Sequence, residues 1–144
     1  MAVALALGPA SFLAATLFAA GALNILRSGW ALVGFAGMLL QNGAFTAVIA
    51  LRHAMNPPTE GLWNLHEALF SLNGTFLAIV MLGLSMGGLQ AGLIRRWHAT
   101  LGFTGAMLMF TFATLSIGLL GLLGWLMWVV WIATYGVTLI RVRS

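Results

Sequence analysis

Both carboxylates of the chain, Glu60 and Glu67, fall in one stretch, PPTEGLWNLHEALFSLNG (57–74), together with His66. An imidazole beside a carboxylate can move a proton, hold a cation or ligate a metal. His53 lies just upstream, and facing histidines can also hold haem. Ser71 follows Glu67 by four residues, but no GxSxG elbow accompanies it, and no HExxH spacing is present. Cysteine is absent, which removes thiolate metal sites, cysteine nucleophiles and disulfides. No catalytic residue, metal ligand set or cofactor is therefore assigned, and an enzyme with a His66/Glu67 site ranks last among the readings.

Spacing says which elements would carry these groups. At 100° per residue, Glu60, Asn64, Glu67 and Ser71 fall within about 60° of one another on a helix. His66 and Asn73, seven apart, share a neighbouring face. Asn42, Thr46 and His53 form a second stripe, about 40° wide, on the preceding helix. Asn56 or Thr59 is placed to cap the helix that opens with Glu60, where the helix dipole favours an acid. The loop between the two helices is short, with Asn56-Pro57-Pro58 as breaker, so they should be antiparallel neighbours. Their ends would then bring His53, Glu60, His66 and Glu67 together.

The chain has 144 residues, 62% hydrophobic and 6% charged. Soluble domains carry roughly a quarter charged residues, so lipid must be the solvent for most of this surface. The expected fold is all-α: a polytopic transmembrane bundle in a single integral membrane domain, residues 1–144. Spans are expected at about 9–26, 30–51, 65–93, 99–117 and 122–140. The apolar run 99–140 has 42 residues, about 63 Å as one helix, and must fold back once. SIGLLGLLG (116–124), with Gly118, Gly121 and Gly124, is the expected turn. Small-residue steps in GLSMG (83–87) and GLQAG (88–92), and at Ala15 and Ala19, should let helices approach closely.

Five spans put Arg27, Arg95, Arg96, Arg141 and Arg143 on one side, and Arg52, Glu60 and Glu67 on the other. The positive-inside rule then sets the C-terminus in the cytoplasm and the N-terminus outside. The start, MAVALALGPASF, has no basic residue before its apolar run and so does not resemble a signal peptide. A preceding span with both ends inside would satisfy the charges equally well. The six arginines stand singly or in pairs between apolar runs, so the pI near 11.7 reflects topology rather than nucleic-acid binding. Absence of lysine points to a GC-rich bacterial genome, hence to a multi-pass protein of a bacterial plasma (inner) membrane.

At AGLIRRWHATLGFTGA (91–106), Gly92, Leu93, Ile94, Arg96 and Trp97, then Leu101, Gly102 and Gly105, form an arginine-tryptophan turn followed by a Leu-Gly-x-x-Gly step. This C-terminal half resembles bacterial multi-span membrane proteins of domain-of-unknown-function family 4386, except that Arg95 stands where proline is expected. The resemblance implies a helical membrane bundle, with more helices than five, and no particular activity.

Two functions stay open on these grounds. The first is a small ligand or an ion bound in an outward-facing polar vestibule between the second and third helices. Glu67, His66, Asn64, Glu60, His53 and Asn42 would line it. The second is a structural or accessory subunit of a larger membrane complex or homo-oligomer, joined through the glycine faces of the third helix. Membrane lipids are partners in either case.

Overall fold

The computed structural model describes residues 2–55, 57 and 59–143. Asn56 and Pro58, two of the three expected breaker residues, lie outside the described residues. Five helices follow one another: α1 (Ala2–Leu26), α2 (Gly29–Ala54), α3 (Glu60–Gln90), α4 (Arg96–Leu115) and α5 (Gly118–Arg143). Each is long and apolar enough to cross a membrane, and a helix satisfies its backbone hydrogen bonds internally, as a lipid core requires. The third helix begins at Glu60, as the capping pattern predicts, a turn and a half before the apolar span expected from Leu65. Thr59 stands at its N-cap in extended conformation but makes no side-chain capping bond.

The turns are tight and chemically distinct. Arg27, with φ 46°, ends α1, and Ser28 opens α2 by accepting a hydrogen bond from the Ala31 amide at 3.2 Å. Gly92, with φ 66°, closes α3: its own amide donates to Leu89 O and the Leu93 amide to Gly88 O. That pair of bonds is a Schellman cap, which needs a residue free of Cβ strain at this left-handed position. Gly92 therefore turns the chain instead of packing it, and only Gly88 of the GLQAG step contributes to packing. The α4–α5 connection is Ser116-Ile117, with Ser116 at φ 55°. The three glycines expected to form this turn lie inside α5. Spaced by three, they share one face, and Gly121 and Gly124 set that face against Phe112 and Met109 of α4.

Successive helices run antiparallel. The pairings Phe12–Phe45, Gly34–Gly83, Gly105–Met81 and Gly124–Met109 show it from α1 to α5. One end of the bundle therefore carries Arg27, Arg95, Arg96 and Arg141, and the other carries Arg52, Glu60 and Glu67; these are the basic and acidic ends below.

The α3 helix is central, with 50% of its most apolar window buried against 11% for α1. Backbone meets backbone where α2 crosses it: a Cβ on Gly83 would sit 2.5 Å from the Gly34 nitrogen. Gly87 packs on Ser28 and Leu26, and Gly88 on the Tyr135 hydroxyl. The glycine faces expected to receive a partner are thus occupied by α2, the α1–α2 turn and α5.

At the basic end Trp131 and Tyr135, fully buried, reach from α5 to α3. The Trp131 indole donates to Ser85 Oγ at 3.0 Å, and the Tyr135 hydroxyl to Leu84 O at 2.9 Å. His98, 3% exposed, meets Thr134 Oγ1 at 2.9 Å and Trp131 O at 3.2 Å through Nε2. His98 is thus a buried tie between α4 and α5, and Trp97 beside it takes the surface position.

Candidate functional site

Of the α3 stripe, Ser71 is half-buried and the rest is at the surface. Glu60, Asn64 and Glu67 are all exposed. The neighbouring stripe is the buried one: His66 is 8% and Asn73 5% exposed. His66 stacks on Trp63 with centroids 5.2 Å apart, and its Nδ1 is 3.4 Å from Glu67 Oε1. That contact lies within ion-pair reach but lacks hydrogen-bond geometry, so Nδ1 stays without a hydrogen-bond partner among the described residues. His53 is exposed, and its Nδ1 contacts its own helix at Ile49 O, 2.8 Å away. His53, Glu60, His66 and Glu67 are not joined into one constellation. Among the described residues no group of three or more such side chains is placed to share a metal ion.

A large concavity lies elsewhere, in the half of the bundle toward the acidic end. It is a cleft of about 890 Å³, and all five helices contribute to it. Its size falls in the range of small-molecule sites. α1 supplies Ser11, Phe12, Ala14, Ala15 and Phe18, and α5 supplies the opposite wall from Gly118 to Ala133. These two helices touch mainly at the basic end, where Phe18 meets Trp131 and Tyr135 edge-on at 6.5 and 5.8 Å. Beyond Phe18 they part. Exposed residues on both rims, Ala14, Leu122, Trp125 and Ala133, mark an opening along the side of the bundle that lipid would cover.

The wall is aromatic: Phe12, Phe45, Phe70, Phe112, Trp125 and Trp128. Trp125, Trp128 and Trp131, three apart in sequence, divide their work. Trp131 is core, Trp128 stacks on it at 5.6 Å, and Trp128 and Trp125 face the cleft. The polar lining is sparse and uncharged: Ser11, Gln41, Asn42 and Asn73.

Two of these polar side chains are incompletely satisfied. Asn42 donates from Nδ2 to Phe12 O at 3.2 Å and to Thr16 Oγ1 at 2.9 Å, which ties α2 to α1. Those bonds orient its amide, and its enclosed Oδ1 has no partner among the described residues. The Asn73 amide makes no hydrogen bond to any described residue, and its Oδ1 is enclosed as well. An apolar site that leaves an amide unpaired costs about 1–3 kcal/mol, so each is a feature that calls for an occupant.

Of the six residues singled out from sequence, only Asn42 lines this cleft. Asn73 was placed on the right face but not among the site residues; its spacing of seven from His66 was the available signal. Nothing local in the sequence marks the gap between α1 and α5. Comparison of the chain with protein-family models, with curated proteins and with solved structures returned no match.

Proposed function

We propose that this is a multi-pass plasma-membrane protein that binds a small, neutral, amphipathic molecule within the bilayer. The cleft toward the acidic end is the site. One observation carries the reading: an aromatic-walled cleft of about 890 Å³ encloses the amide oxygens of Asn42 and Asn73, which have no hydrogen-bond partner among the described residues. With no charged side chain in the lining, an ion would lose its hydration without compensation, which favours a neutral ligand over a cation or proton site at Glu67. The arginine distribution supports a cytoplasmic basic end, and hence a cleft in the outer leaflet.

The test is native mass spectrometry of the mildly extracted protein. Gly118 lines the cleft, and a Cβ there would meet nothing within 4 Å, so Gly118→Trp should fill the space without disturbing the fold. A discrete mass retained by wild type and by Glu67→Gln, and lost from Gly118→Trp, is expected. A mass kept by Gly118→Trp and lost from Glu67→Gln would move the site to the exposed carboxylates and overturn the proposal.

A further inference from the structure

We infer that the ligand's polar group is a hydroxyl, carried on a long apolar body, and that Asn73 reads it; this rests on the cleft being the ligand site. Charge is excluded first. Carboxylate, phosphate and ammonium groups find no countercharge among the lining residues and would be desolvated unpaired.

Among neutral groups, hydrogen-bond polarity decides. The Asn42 amino group is committed to Phe12 O and Thr16 Oγ1. What it leaves over is a carbonyl oxygen, which accepts only. Asn73 has both ends of its amide uncommitted, and its oxygen is again the enclosed unpaired atom. The missing partner must therefore donate, and to answer the Asn73 amino group it must also accept. A hydroxyl does both. Ethers, esters and ketones only accept, and leave the amide oxygen unpaired.

The body follows from the walls. Asn73 and Gly74 are buried on α3, with Phe112 packed against Gly74, and form the closed side, while the exposed Trp125 and Leu122 stand at the open rim. The head is thus seated against α3 and the tail points out between α1 and α5 into lipid. Entry is from the membrane.

The tryptophans provide the assay. Trp125 and Trp128 line the cleft, and bromine quenches indole fluorescence on contact. The intact protein in lipid nanodiscs is titrated with an omega-brominated undecanol and, separately, with the methyl ether of the same chain. The tryptophans outside the cleft give a non-saturating background common to both probes. Saturable quenching by the alcohol is expected at about tenfold lower mole fraction than by the ether, the worth of one hydrogen bond to a buried group. Asn73→Leu should bring the alcohol to the ether's level, although the wild-type comparison stands without any variant. Equal saturable quenching by both probes would overturn the hydroxyl assignment and leave the cleft reading intact. No saturable quenching by either probe would overturn both, and would mean that acyl chains alone fill the groove.

Discussion

Asn73→Leu should make the unliganded protein more stable while removing its binding. Asn73 is 5% exposed, and its amide bonds to no described residue. Leucine has the same branching and the same number of side-chain heavy atoms, so the exchange opens no cavity, and the cleft that Asn73 lines takes up its greater bulk. It removes a buried unpaired amide, costing about 1–3 kcal/mol, and gains a few tenths in helix propensity. In membranes the unfolded reference also finds partners for polar groups, which draws the net toward about 1 kcal/mol. The assay is SDS titration of protein stripped of small molecules, followed by circular dichroism, wild type beside variant. The variant's midpoint should rise. Ligand then inverts the order, because it adds RT ln(1 + [L]/Kd) to wild type alone. A loss of about 1 kcal/mol or more in the stripped variant would refute the reasoning, since it would mean that the amide ties α3 to another helix.

Other consequences follow from the same contacts. Ser85→Ala leaves the Trp131 indole buried without its acceptor and should cost about 1–3 kcal/mol in the same SDS titration, with Ser85→Thr restoring part of it. Gly83→Leu drives a side chain into the Gly34 backbone and should cost at least about 1–3 kcal/mol, seen as a lower midpoint and weaker expression. Asn42→Ala cuts both bonds from α2 to α1, worth about 0.6 kcal/mol each in membranes. With a single cysteine introduced at Ala15 in this cysteine-free chain, maleimide labelling should speed up by roughly eightfold. An unchanged rate would show that α1 is held by other contacts.

The five apolar segments were legible because a lipid core demands runs of about 20 residues, and α1 ends at Leu26, where the first span was expected to end. Close approach at Gly83 and Gly87 was legible too, since small residues four apart lie on one face. What a stripe cannot say is which way it faces. Glu60, Asn64 and Glu67 do share a face of α3, yet at a helix end the aqueous side competes with the bundle for polar groups, and the bundle took His66 and Asn73 instead. The α4–α5 turn falls within the expected stretch 116–124, but its glycines do not make it, because glycine serves both turns and packing. Their spacing of three inside an apolar run favoured packing, and Ser116 supplied the turn. The cleft had no local signature at all. It exists because α1 and α5 meet at Phe18 and diverge beyond it, a relation between residues more than a hundred positions apart.

The Gly34–Gly83 crossing has a mechanical corollary. Two backbones in van der Waals contact have no side chains left to rearrange, so α2 and α3 move as one stiff spine. Compliance is left to the flanks: α1 hangs on an amide, a few rings and its buried Ala19, Ala22 and Leu26, and α5 on its seam with α4 and its two anchors on α3. Breathing of the cleft is therefore a swing of these flanks against surrounding lipid, and the work of opening is done against lateral pressure. A more tightly packed bilayer should slow ligand exchange in both directions while leaving the α2–α3 distance untouched.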